Sequence, residues 1–178
     1  MDAFQRQGCA TLESDAVVHT LYDSGELDDA VRALLGDGVF ENGRLSRPAV
    51  ARVVFRRPDL LQALERTVHP RVDAAYRAFV EEAEAGEPPP RAIVNEVPLL
   101  FESHLEDRYD TIVTITAADA VRRARIAARG GLEGLAAREA RLLPDDERIR
   151  RADHVIVNDG NRDDLDRAVA ALMLELGV

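Results

Sequence analysis

The sequence predicts an α/β fold in three layers, with a mostly parallel sheet lying between helices. Short apolar runs rich in β-branched residues alternate with longer segments in which apolar residues recur at helical spacing. The short runs are apolar on both faces, which is typical of parallel strands buried between helices. The strand candidates are residues 9–12, 92–94, 110–116 and 152–157.

The composition is that of a globular protein and restricts its partners. Of the 178 residues 46% are hydrophobic and 31% charged, and the net charge is −10. A chain this acidic lacks the basic surface that nucleic acids and anionic membranes require, so neither is expected as a partner. No apolar run approaches the roughly 20 residues of a membrane span, and the amino terminus lacks the apolar core of a secretory signal. We expect a single cytoplasmic domain in which Cys9, the one cysteine, is a small buried core residue.

All 23 basic residues are arginine, and the chain contains no lysine. A P-loop uses a lysine to reach the β- and γ-phosphates of a nucleotide. A complete P-loop is therefore excluded from these 178 residues.

The first strand candidate is followed by Glu13, Ser14 and Asp15, which precede a helical pattern. One interpretation of Asp15 is a helix N-cap, the commoner use of such an acid. The other is a carboxylate at the carboxyl end of a strand, placed to accept a proton from a substrate hydroxyl.

Residues 16–85 form a helix-rich block that is too long for a simple crossover and suggests an inserted substrate-binding subdomain. Its last helix begins at Pro58, and Pro70 predicts a break or kink in it. For His69 a partly buried, hydrogen-bonded role beside the kink is favoured over a catalytic one. The four histidines show no metal-ligand spacing.

The central strand candidate leads directly to Glu96, and Pro98 prevents the strand from continuing. Glu96 either caps the following turn or orients a metal-bound water or substrate hydroxyl. Ligands of open α/β sheets bind outside the carboxyl ends of the strands. Asp15 and Glu96 are therefore expected to share one crevice.

An arginine-dense segment follows the strand candidate at 110–116 and its crossover helix at 119–128. A solvated surface balanced by acidic neighbours explains most of these arginines. The specific alternative is a mobile lid at residues 129–151 whose guanidinium groups close over a triphosphate. After the last strand candidate, Asn158 to Gly160 forms a turn, and a helix at 165–176 closes the chain.

Taken together, several motifs resemble those of dephospho-coenzyme A kinase, and the resemblance extends over essentially the whole chain. The motifs are Ser14-Asp15-Ala-Val-Val-His, Asn42-Gly43-Arg44-Leu45-Ser46-Arg47, His69-Pro70, Val97-Pro-Leu-Leu-Phe-Glu102 and Asn158-Asp-Gly160. The resemblance implies a P-loop-kinase-like fold and an enzyme that transfers the γ-phosphoryl group of ATP to the ribose 3′-hydroxyl of dephospho-coenzyme A. ATP is then the co-substrate and Mg²⁺ the metal.

The resemblance also implies roles for individual residues. Asp15 matches the general base, and Glu96 matches an acidic position close to magnesium. The remaining positions are Arg44, Arg47 and His69 on the acceptor-substrate side, Arg129, Arg138 and Arg148 in the ATP-binding lid, and Asn158 and Gly160 in the adenine-side loop.

The chain departs from the family pattern in two places. Leu142 stands where the family usually has a glutamine. The family's first strand and P-loop are absent, and Met1 falls inside the helix that follows them. A start codon assigned downstream of the true one is the favoured explanation, and we expect the 178-residue chain to have little kinase activity. The alternatives are a non-catalytic coenzyme-binding remnant and another small-molecule P-loop kinase.

Overall fold

The structure is a computed structural model that describes residues 1–55, 57–130, 135 and 139–178. The described residues form two compact units. The first unit comprises Met1 and Cys9–Val97, and the second comprises Asp2–Gly8 and Pro98–Val178.

The first unit contains a pair of parallel strands. Strand β1 (Ala10–Glu13) pairs with β4 (Ile93–Glu96), in a register that runs from Ala10 opposite Ile93 to Glu13 opposite Glu96. Both strands lie where the apolar runs predict them, and their parallel pairing is also as predicted. Because the strands are parallel, their carboxyl ends meet at the same edge.

The rest of the first unit is mainly helical. Its helices are α2 (Ser14–Asp23), α3 (Asp28–Leu35), α4 (Arg47–Val54) and α5 (Pro58–Glu84). A small antiparallel hairpin of β2 (Phe40–Glu41) and β3 (Arg44–Leu45) lies between α3 and α4. The apolar faces of these elements share one core, in which Leu27, Val31 and Val39 are fully buried.

The sequence predicts a break or kink at Pro70, and of these the break is not observed, because helix α5 runs through Pro70. Proline removes one backbone donor, so a carbonyl in the preceding turn loses its usual partner. Nη1 of Arg71 donates to the carbonyl oxygen of Thr67 at 2.7 Å in this turn. The carbonyl freed by Pro70 is that of Arg66, so this bond does not replace the lost one; the burial of Leu64 and Val68 on the inner face favours the continuous helix.

The second unit contains the other parallel pair, β5 (Val113–Thr116) with β6 (His154–Val157), in register from Val113 opposite His154. Its helices are α1 (Asp2–Arg6), α6 (Asp119–Ala128), α7 (Asp145–Arg151) and α8 (Arg162–Glu175). Helix α1 packs on α8, and Arg6 forms an ion pair with Asp166 across this contact.

The segment after β4 is attached to α7 within the second unit. Oε1 of Glu102 accepts a hydrogen bond from the backbone N–H of Leu143 at 2.6 Å. The guanidinium of Arg151 lies 4.7 Å from the centroid of the Phe101 ring and pairs with Glu106. The Val-Pro-Leu-Leu-Phe-Glu motif thus fixes the beginning and the end of α7.

These elements confirm the predicted α/β class with mostly parallel pairing, since only the short β2–β3 hairpin is antiparallel among the described strands. Within the same residues, no helix has the length and hydrophobicity needed to cross a bilayer.

Candidate functional site

Three carboxylates gather where β1 and β4 end. Glu13 and Glu96 are register partners at the last position of the two strands, and Asp15 lies in the first turn of α2. All three residues are exposed to solvent. The expected meeting of Asp15 and Glu96 within the first unit is thus consistent with this register.

The three carboxylates influence one another electrostatically. Desolvation of the Glu96 carboxyl raises its pKa above the ordinary value, and the nearby charges of Asp15 and Glu13 raise it further. The positive charge of the Met1 amino group acts in the opposite direction and lowers the pKa of Glu96, so it offsets this repulsion in part. An edge of this kind favours a bound cation or the uptake of a proton.

Asp15 is not the N-cap of α2. The cap position is occupied by Glu13, and Asp15 follows Ser14 inside the helix. The capping interpretation of Asp15 is therefore wrong, because α2 begins earlier than a cap at Asp15 would require. Its carboxylate is left available for chemistry at the strand ends.

A hydrogen bond that sequence reasoning missed connects the two elements that carry the acids. Oγ of Ser14 donates to Oδ1 of Asn95 at 3.2 Å. Ser14 precedes Asp15 and Asn95 precedes Glu96, so this bond fixes the start of α2 against the end of β4. The only sequence signal for it is a polar residue next to each acid.

The carboxylates at this edge fit Mg²⁺, which completes its coordination with water and phosphate oxygens. They do not fit a metal ion that takes all of its ligands from the protein. No cluster of three or more histidine, cysteine, aspartate or glutamate residues that could hold a metal ion occurs in the described parts of the chain. Magnesium typically binds one or two carboxylates and completes its octahedron with water and substrate phosphates. Glu96, with Asp15 beside it, offers such a partial set.

Arg44 and Arg47 line one pocket of about 680 Å³ in the first unit. The hairpin places Arg44, and the first turn of α4 places Arg47, where Ser46 caps the helix by accepting the Ala49 N–H. The remaining lining residues are Asp23, Glu41, Asn42, Leu45, Ser46, Pro48 and Ala51. The structure thus brings the two predicted substrate-side arginines together.

His69 does not join these arginines. It lies on α5, is exposed to solvent, and does not line the pocket. The partly buried position predicted for it is wrong, because Pro70 does not break α5 and so creates no sheltered corner.

The predicted lid arginines differ in their surroundings. Arg148, on α7, pairs with Asp145 and its side chain is only 21% exposed, although its Nε has no hydrogen-bond partner. Arg129 follows α6 and is exposed. Arg138 lies outside the described residues. The solvated, acid-balanced surface predicted for most arginines is observed at Arg150, which is 71% exposed and pairs with Glu147 at 2.6 Å.

The loop from Asn158 to Gly160 is held by a residue that the sequence did not single out. Nη1 of Arg125 donates to the carbonyl oxygen of Asn158 at 2.6 Å, and Nη2 donates to that of Gly160 at 2.5 Å. Oδ1 of Asp159 accepts the Ala118 N–H at 2.6 Å. A Cβ at Gly160 would lie 2.9 Å from Cβ of Asp164. This is closer than two non-bonded carbon atoms can approach, so only glycine fits at position 160.

Comparison with known proteins identifies the family of this chain. The family model described as CoaE, dephospho-CoA kinase, matches residues 1–164. A protein of Bradyrhizobium diazoefficiens named dephospho-CoA kinase is 33% identical over 175 residues, which cover 97% of this chain and 86% of that protein. A protein of Thermus thermophilus with the same name is 37% identical over 171 residues, covering 95% of this chain and 80% of the relative.

Solved structures show the same fold. A crystal structure from Thermus thermophilus matches with a TM-score of 0.81 and 35% identity, over 98% of this chain and 88% of that one. The dephospho-CoA kinase from Campylobacter jejuni matches in fold at 20% identity, with a TM-score of 0.67 over 98% of this chain and 90% of its own. The family match over most of the chain and these relatives lead to one conclusion: the chain belongs to the dephospho-CoA kinase family.

Proposed function

We propose that this chain serves the ATP-dependent phosphorylation of the ribose 3′-hydroxyl of dephospho-coenzyme A, the last step of coenzyme A biosynthesis. The observation that supports it most directly is the proximity of Asp15, in the first turn of α2, to Glu96 at the carboxyl end of β4, where the charge of Asp15 raises the pKa of Glu96. Phosphoryl transfer depends mainly on positioning and on neutralising charge. Acids at a strand edge can supply both a base and a metal ligand.

The two carboxylates take different roles in this proposal. Asp15 accepts the proton of the attacking 3′-hydroxyl, because a positioned carboxylate within hydrogen-bond reach acts as a general base. Glu96 holds Mg²⁺, which when bound neutralises phosphate charge. The Ser14–Asn95 hydrogen bond connects the residues that precede the two acids and so helps to hold Asp15 and Glu96 at a fixed separation.

Arg44 and Arg47 bind the acceptor in this proposal. Guanidinium groups donate two parallel hydrogen bonds to phosphate oxygens. The pocket that they line has the size of a small-molecule site. Its acidic members, Asp23 and Glu41, can accept hydrogen bonds from hydroxyl or amide groups of the coenzyme.

The nucleotide-side roles belong to the second unit. We assign Arg129 and Arg148 to ATP phosphates and the loop at residues 158–160 to the adenine side, as the family resemblance implies. The cytoplasmic location and the absence of nucleic-acid and membrane partners remain predictions from composition.

A second candidate is a coenzyme-binding module without ATP chemistry. The observation that favours it is the absence of lysine from all 178 residues, because the phosphate cradle of this reaction contains one. Calorimetry separates the candidates: a bare binding module binds coenzyme with no response to ATP or Mg²⁺.

The function is tested by incubating protein with ATP, Mg²⁺ and dephospho-coenzyme A and separating the products by chromatography. Two proteins are compared: the 178-residue chain, and a longer form with a strand and a Gly-x-x-x-x-Gly-Lys-Ser loop ahead of Met1. We expect coenzyme A and ADP in equal amounts from the longer form and little from the 178-residue chain. No coenzyme A from either protein would overturn the proposed reaction, and robust turnover by the shorter chain would overturn its expected inactivity. Substitution of AMP or adenosine as acceptor tests the hypothesis of another small-molecule kinase.

A further inference from the structure

We infer that Arg125 is a positioning residue for nucleotide binding, acting through the backbone of the loop at residues 158–160. The inference rests on the proposed function, which assigns this loop to the adenine side of ATP. Arg125 itself is not assigned a contact with the nucleotide.

The two hydrogen bonds of Arg125 span the loop. One planar guanidinium reaches the carbonyl oxygens of Asn158 and Gly160, which flank Asp159, at 2.6 and 2.5 Å. Arginine presents its donors in a rigid fork, so the distance between the two carbonyl oxygens is set by the side chain. Charge-assisted bonds of this type are stronger than those between neutral groups.

Other bonds fix the ends of the same loop. The backbone N–H of Asn158 donates to the carbonyl oxygen of Thr116 at 2.7 Å, and Asp159 accepts the Ala118 N–H. The N–H of Asn161 donates to Oδ2 of Asp164 at 2.9 Å in the capping box that starts α8. Arg125, by contrast, ties the backbone carbonyl groups on both sides of Asp159 to α6.

The loop needs this support because it leaves regular structure at both ends. Strand β6 ends at Val157 and α8 begins at Arg162, so Asn158 to Gly160 lie outside both the strand and the helix. Without Arg125, the carbonyl oxygens of Asn158 and Gly160 lose their hydrogen bonds to α6. The backbone between these two residues is then less restrained. Catalysis is sensitive to such shifts, since a misplacement of about 1 Å can cost about 100-fold in rate.

The test compares Arg125→Ala and Arg125→Lys with the control Arg123→Ala in the longer form that carries the Gly-x-x-x-x-Gly-Lys-Ser loop ahead of Met1. Arg123 lies on the same helix, is exposed, and pairs with Asp119 instead of the loop. Amide resonances are followed by ¹⁵N NMR during separate titrations with ATP and with dephospho-coenzyme A. Loop amides report nucleotide binding, and amides of residues 44–47 report the acceptor pocket.

We expect both Arg125 variants to raise the dissociation constant for ATP about 10-fold and to leave that for dephospho-coenzyme A within about twofold. Lysine keeps the charge but lacks the planar fork, so it should not restore ATP binding. Arg123→Ala should match the wild type for both ligands. A merely structural role would instead weaken both ligands and lower the thermal midpoint together.

Three outcomes overturn the inference and are distinguishable. If the wild type binds ATP and the Arg125 variants bind it equally well, or weaken both ligands equally, Arg125 does not position the loop for ATP while the proposed function stands. If ATP shifts amides elsewhere and none in the loop, the loop assignment fails. If neither ATP nor dephospho-coenzyme A shifts any amide of the wild type, the proposed function fails and the inference falls with it.

Discussion

Glu96→Gln should stabilise the fold while it impairs function. The pKa of Glu96 is raised by desolvation and by the charges of Asp15 and Glu13, and the Met1 amino group offsets this in part. Glutamine keeps the shape and removes the charge. Like charges on paired strand positions cost roughly 0.2–1 kcal/mol, and exposure of the residues screens the repulsion. We therefore expect a gain of about 0.5 kcal/mol in the free energy of unfolding at pH 7.

The sign of the pH dependence follows from the direction of the pKa shift. A raised folded-state pKa means that the folded protein binds the Glu96 proton more tightly than the unfolded chain does. Stability is therefore lost as the pH rises from the ordinary glutamate value through the raised one. The advantage of glutamine should be present at neutral pH and should vanish below the ordinary glutamate value, where Glu96 is protonated in both states.

Urea unfolding at several pH values measures this difference, with Glu13→Gln as the matched control. Glu13 is the register partner of Glu96 and contributes to the same repulsion. Glu13→Gln should also stabilise, yet it should leave kinase activity of the longer form nearly unchanged. Addition of Mg²⁺ should raise the thermal midpoint of the wild type and not that of Glu96→Gln. A loss of stability in Glu96→Gln at pH 7 would refute the reasoning, because it would show that the carboxylate is a structural partner and not a site group.

Three other substitutions test the base role of Asp15, the acceptor pocket and the helical core separately. Asp15→Asn should reduce turnover of the longer form by about 10²–10⁴-fold with little change in ATP affinity, and an unchanged rate in a product assay would remove Asp15 from the base role. Arg47→Ala should weaken binding of dephospho-coenzyme A about 10-fold by calorimetry, while the same change at exposed Arg66 on α5 should not; equal effects at the two positions would remove the pocket from substrate binding. The Leu27 side chain has no exposed surface, so Leu27→Ala leaves a cavity and should lower the free energy of unfolding by about 3 kcal/mol, measured by urea unfolding. A loss below about 1 kcal/mol would show that the helical core collapses into the space left by the leucine.

Local patterns were enough to predict most of the fold. The apolar runs placed β1, β4, β5 and β6 to within a few residues, and helical spacing placed the main helices. The position of Glu96 at the end of its strand follows from Pro98, which prevents the ladder from continuing. These features depend on neighbours in sequence, so the sequence is sufficient to predict them.

The errors arose where one local signal was given too much weight. Pro70 predicts a break or kink, but α5 does not break there and buries Leu64 and Val68 on its inner face. Asp15 has the residue type of a cap, but the helix starts before it. In both cases packing of neighbouring elements outweighed the preference of a single residue.

The sequence by itself determined the α/β class, the order of the elements and the acids at two strand ends, because periodicity and chain breakers act over short stretches. Only the tertiary structure decided that Glu13 faces Glu96 and that Arg44 and Arg47 share a pocket. It also decided that Arg125 holds carbonyl groups 33 and 35 positions further along the chain. Such contacts depend on how packed elements bring distant residues together, and no spacing in the sequence encodes that distance.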